Sequence, residues 1–121
     1  MSTIRIDNFG PSAGGTTYSA RGIAKAWVNF DGTGTIAARD SENVSSLTDV
    51  GTGRYGVNFS SAFGAADYVA SGVSQDVTAG SFISTDNVTL PTASALTFYI
   101  FDSASVVDTA RVFVTVHGDL A

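Results

Sequence analysis

Cysteine is absent from the 121 residues, which excludes disulfides and thiolate metal sites and leaves the redox compartment unreadable. Histidine occurs once, as His117, too few for an imidazole-rich metal centre. Charged residues make up 14% of the chain, against about a quarter in an ordinary globular protein. Six basic residues face eleven acidic ones, for a net charge of −5. Such a chain lacks the electrostatic footprint of a nucleic-acid binder and would be repelled by an anionic membrane surface, so neither partner is expected. No stretch approaches the run of about 20 apolar residues that a spanning helix needs, and residues 1–10 carry no apolar signal core. Membrane insertion and signal-directed export are therefore not expected.

What replaces the missing charge is Gly, Ser, Thr, Ala and Asn, a mixture suited to strands, tight turns and contact surfaces. Hydrophobic residues amount to 44%, enough for one core in a chain of single-domain length. Alternation with a period of two dominates. Ala24, Ala26, Val28 and Phe30 share one face of a run whose other face holds Lys25, Trp27 and Asn29. Tyr55, Val57 and Phe59 alternate with Arg54, Gly56 and Asn58; Leu96–Phe101 and Arg111–His117 behave alike. Asp31-Gly32 and the stretch Asp49–Gly53 supply the reversals between such runs. Seven or eight short strands spaced in this way predict an all-β fold, an antiparallel β-sandwich of jelly-roll-like or Greek-key type, over residues 23–121. One short helical turn is allowed at Ser41–Asp49 and another at Ser60–Asp67.

Residues 1–22 differ. A short alternating piece, Thr3–Asp7, precedes the loop-like run Gly10–Thr17, across which no regular element is expected. The reading adopted is an extended docking arm anchored on a neighbouring subunit by Ile4 and Ile6; a mobile tail is the alternative. In the body, Trp27, Tyr99, Phe101 and Phe113 lie opposite the obvious apolar faces. Either loops or the second sheet cover them, or they form an association surface for another copy or a ligand.

Catalytic chemistry finds little support. Gly51-Thr52-Gly53-Arg54-Tyr55-Gly56 has the letters of a dinucleotide fingerprint, but it precedes an alternating strand rather than a helix and reads as a hairpin. His117, at the end of the last strand, is a poor general base. Asp40 and Glu42 are the nearest approach to a glycosidase-like carboxylate pair, and they sit in a turn-like setting. A surface Ca²⁺ site of oxygen ligands is a residual alternative without EF-hand spacing. The glycosylation-like triplets at Asn43, Asn58 and Asn87 are the chance product of a composition rich in Asn, Ser and Thr. No catalytic, cofactor or metal residue is assigned, and no cofactor is expected.

The segment Ala24–Ile36, its continuation Arg39–Asp49 and Gly51–Phe59, and the opening Met1–Asn8 resemble a family of short bacteriophage tail-fibre-like proteins of marine and cyanobacterial phages. The resemblance is close over Met1–Asp7 and Ala24–Phe59 and looser over Tyr68–Gly118. It implies a non-enzymatic virion protein, a homotrimeric short fibre or spike subunit that attaches to other phage proteins and to the host surface, possessing no transferable site residues. It also implies synthesis in the host cytoplasm and release by lysis. A capsid decoration (cement) protein is the second reading, because neither coiled coil nor shaft repeat is present. A glycan-acting enzyme is the third. Loops Phe63–Asp67, Gln75–Phe82 and Ala93–Ala95 are the candidates for presenting groups to a surface glycan.

Overall fold

A computed structural model describes residues 2–75, 80–103 and 105–121. Two four-stranded antiparallel sheets pack face to face. Strands β1 (Asn8–Phe9) and β2 (Tyr18–Ser19) form a separate small ladder. The first large sheet has the order β4-β3-β10-β7, built from β3 (Ala26–Asp31), β4 (Ala37–Glu42), β7 (Val69–Gln75) and β10 (Arg111–His117). The second has the order β5-β6-β9-β8, from β5 (Val44–Gly51), β6 (Arg54–Phe59), β8 (Phe82–Thr85) and β9 (Ala95–Phe101). The expected all-β sandwich is what forms.

The core lies where the alternation put it. Ala26, Val28 and Phe30 meet Val112, Val114 and Val116 across one ladder, with Tyr55, Val57, Phe59, Leu96, Phe98 and Ile100 coming from the other sheet. Phe30, Tyr55 and Phe98 form an aromatic knot at one end, Phe30 edge-on to Tyr55 at 5.3 Å between ring centres. Phe59, Phe63 and Tyr68 form a second knot, with ring centres 4.8–5.5 Å apart. Burying such rings contributes about 1.5–3 kcal/mol each.

Two expectations are corrected. Ser41–Asp49 holds no helical turn: the chain runs from β4 through Asn43 into β5. Asn43 adopts a left-handed φ of 54°, which turns the strand from one sheet to the other. Its side chain accepts from the Ser61 amide at 2.7 Å and donates to the Ser61 carbonyl at 3.1 Å, fastening that corner. Residues 60–67 likewise form bends, with Phe63 bridging Leu120 near the C-terminus. The second correction concerns residues 1–22, where a continuous extended arm is not evident. Past Asp7 the chain folds back, since Asn8 and Phe9 pair with Ser19 and Tyr18 and a single 3-10 turn follows at Ala20–Gly22. Arg21 is tied to Asp119 by Nε–H to Oδ1 at 2.9 Å and by its Nη2 to Oδ2. Residues 2–7 and the loop 10–17 lie outside the strands, with the Asp7 carbonyl accepting the Ala20 amide at 2.8 Å.

Candidate functional site

The outward faces of the two sheets carry the rings singled out in the sequence, and the sandwich divides them. On the first sheet Trp27 is half-buried opposite Thr115 and Glu42, and Phe113 is 38% exposed between Asn29 and Val73. Trp27 and Phe113 are diagonal neighbours on this face. Tyr99 and Phe101 occupy the outer face of the second sheet, on the opposite side of the molecule. The four residues therefore form two surfaces rather than one patch.

The second-sheet surface is the more organised. Phe101 stacks on Phe82 with ring centres 5.4 Å apart and planes inclined by 13°. Tyr99 adjoins Phe101 at 5.8 Å, and the Arg54 guanidinium lies 5.4 Å over the Tyr99 ring. Cross-strand pairing fixes this ladder: Phe82 faces Phe101, Ser84 faces Tyr99, and Tyr99 faces Arg54. Phe82 remains 56% exposed. The sequence puts Phe82 at the end of the candidate loop Gln75–Phe82 and Arg54 opposite the apolar face of its strand, but does not group either with Tyr99 and Phe101. Phe82 opens β8, and the register of β8 and β6 against β9 is the missing signal. The remainder of the Gln75–Phe82 candidate loop lies partly outside the described residues.

Arg54 is held from behind. Its Nε–H donates to Asp86 Oδ2 at 2.7 Å and its Nη2 to Thr89 Oγ1 at 2.9 Å. The Asp86 side chain is fully buried and also accepts the Val88 amide at 2.7 Å. Burial alone would raise the Asp86 carboxyl, but the Val88 and Thr89 amides and the Arg54 guanidinium outweigh it and hold the group below the usual carboxylate range. The cation at the edge of the ring ladder is thus positioned before any ligand arrives.

A concavity of about 560 Å³ opens at the end of the sandwich near Phe63, Tyr68, Asp67, Arg21, His117 and Asp119. The loop Phe63–Asp67 forms part of its wall. His117 Nδ1 donates to the Gly22 carbonyl, which can only accept, at 3.1 Å. The hydroxyl of Tyr68 donates to the Ala95 carbonyl at 2.9 Å, and burial pushes it up to about 12. Ala93–Ala95, the third candidate loop, passes the Phe63 side, with the Phe63 amide bonded to the Ala93 carbonyl at 2.8 Å.

Ile4 and Ile6 are 85% and 52% exposed and have no strand partner among the described residues. Asp40 and Glu42 lie on the edge strand β4, opposite Asn29 and Trp27 on the same outward face, and both are exposed. The Gly51–Gly56 stretch is the β5–β6 reversal, with Gly53 at a φ of +61°. Comparison with protein-family models, curated proteins and solved structures gave no match.

Proposed function

We propose that this chain is a structural, non-enzymatic virion protein of a bacteriophage, a short tail-fibre or spike-type subunit that works as a homotrimer and attaches the particle to the host surface. The observation that carries the reading is the outward ladder Phe82–Phe101–Tyr99 with Arg54 over its end. A sandwich that served only to bury its own core would expose polar groups there. Flat rings beside a fixed guanidinium suit a sugar, whose C–H faces lie on aromatics while its hydroxyls bond to charged groups. The end concavity, with its Phe63–Asp67 wall, offers a second polar-and-aromatic surface of the same chemistry. The resemblance of Met1–Asp7 and Ala24–Phe59 to short phage fibre proteins points the same way.

A capsid decoration role is the second reading, favoured by the brevity of the body. Its longest strand has eight residues, about 27 Å. Antibody labelling of intact particles separates the two: signal at the tail is expected, and signal confined to the capsid overturns the fibre assignment. Replacing Asp40 and Glu42 together by Ala is expected to leave glycan integrity unchanged in a degradation assay. A loss of glycan-degrading activity in that variant would make the protein an enzyme.

A further inference from the structure

Four strands edge the sandwich, and three of them are defended against further pairing in the ways edge strands usually are. β4 carries Arg39, Asp40 and Glu42 and a register shift against β3 at Asn29/Phe30. β5 has two register shifts against β6, at Val44/Ser46 and at Asp49/Gly51. β8 has four residues. β7 differs from all three. It reads Val-Ala-Ser-Gly-Val-Ser-Gln, with no charge and no proline, and it pairs with β10 over seven consecutive residues without a shift. Val69 and Val73 on its outward face are 67% and 66% exposed.

A slot of about 80 Å³ opens beside that same strand, between β7 and β8. Its lining is mostly apolar, Ala70, Gly72, Ile83, Leu96, Phe98 and Val114, together with Ser71 and Thr85. The volume exceeds the roughly 30 Å³ share of one water, and most of the wall is apolar. An aliphatic side chain is the matching occupant. The chain contains a short unpaired segment, residues 2–7, that carries two such side chains, Ile4 at 85% and Ile6 at 52% exposure. Residues 2–7 have no strand partner among the described residues, and Ile4 and Ile6 point to one side by alternation. Six extended residues span about 20 Å, close to the length of β7. Arg5 and Asp7 meet no like charge on β7, which has none.

We propose that residues 2–7 of a second copy add as a fifth strand to the β7 edge, with Ile4 and Ile6 facing the slot between β7 and β8. The contact is heterologous, arm to edge, so it closes a ring when each copy gives its arm to the next and takes one from the previous. This rests on the self-assembly reading above and names the contact that makes the trimer. Residues 1–22 then dock on a neighbour through their first residues alone, since Asn8 onward is folded onto its own ladder and Arg21 onto Asp119.

The test compares the full-length chain with a full-length I4D/I6D variant by native mass spectrometry and hydrogen exchange. Both substituted positions are solvent-exposed in the protomer, so the variant keeps its core, which a cooperative thermal melt with strand-type far-ultraviolet circular dichroism checks. The wild type is expected as a trimer and the variant as a monomer, with amides of 69–75 exchanging at least about tenfold more slowly in the wild type. An I4D/I6D trimer with unchanged β7 protection overturns the arm-to-edge contact and leaves the virion reading standing. A dimer that keeps β7 protected in I4D/I6D also overturns it, in favour of β7 pairing with β7 of a partner. A wild type that stays monomeric at working concentration overturns both the contact and the trimer, while particle labelling still decides the virion assignment on its own.

Discussion

Tyr55 is the residue on which one end of the sandwich converges. Its hydroxyl lies 2.8 Å from the Gly32 carbonyl and 2.7 Å from Asp108 Oδ1, and that same carboxylate oxygen accepts the Gly53 amide at 2.7 Å. One phenol therefore links the β3–β4 reversal, the β5–β6 reversal and the loop ahead of β10. Burial, reinforced by the Asp108 carboxylate, raises the Tyr55 phenol far above its usual range. Both glycines are required by close approach: a Cβ at Gly32 would stand 2.6 Å from the Tyr55 hydroxyl, and one at Gly53 would stand 2.6 Å from the Val107 nitrogen at a left-handed φ. Gly32→Ala is expected to cost about 1–3 kcal/mol, read as a lower denaturant midpoint at unchanged slope. Two pH limbs follow at this scale. The Asp86 carboxyl is depressed, so its contribution is whole above the ordinary aspartate value near 3.9 and is lost as pH falls through that value toward the depressed one. Thermal melts from neutral pH into acid should show a steeper decline for the wild type than for Asp86→Asn. Tyr68 is raised, so its contribution is whole below about 10 and is lost as pH climbs toward 12. Alkaline melts should show that loss, and Tyr68→Phe should flatten it.

Among the elements, legibility followed burial. β6 and β10 have the bounds that alternation alone predicts, and β3 and β9 differ by a residue or two at their ends, because each is a central strand with one face in the core and one outside. The edge strands were harder. β4 reads Ala-Ala-Arg-Asp-Ser-Glu and shows no apolar alternation, since it lies largely in solvent and holds its place through backbone pairing with β3. β7, low in charge but full of small residues, gave no sharp period either. Their positions depend on partners far along the chain, and local propensity does not encode those. The β4–β5 corner illustrates the point, because a left-handed Asn between two strands looks locally like a helical turn. Asn43→Val should cost about 1–3 kcal/mol or more through backbone strain and loss of both Ser61 bonds, whereas Asn43→Gly keeps the φ and loses only the bonds. Urea midpoints ordered wild type, Asn43→Gly, Asn43→Val would bear this out; equal midpoints for the two variants would refute it.

For the molecule as a whole, the consequence of two sheets is two surfaces with separate chemistry. From sequence, the four outward rings were recognisable as misplaced, because alternation assigns each to the face away from the core. Their partition was not recognisable, because which strands share a sheet is set by the order β4-β3-β10-β7 against β5-β6-β9-β8. Trp27 and Phe113 share a face with Val69 and Val73, so an apolar patch suited to protein contact adjoins the open β7 edge on that side. Phe82, Phe101 and Tyr99 share the other face with Arg54, Ser84 and Thr97, where rings alternate with hydrogen-bonding groups, a surface suited to a polyhydroxylated ligand. If assembly and attachment use different sides, variants should separate them. Phe113→Ser with Val73→Ser should weaken the oligomer by about tenfold or more in dissociation constant and leave binding to host cells per assembled particle intact. Tyr99→Ser with Phe101→Ser should leave the oligomer's mass unchanged and reduce adsorption of particles to host cells. All four side chains are partly exposed, so loss of folding does not account for either effect. Should each pair impair both properties equally, the two faces act as one surface in the assembly, and the division of labour argued from the sheet order is wrong.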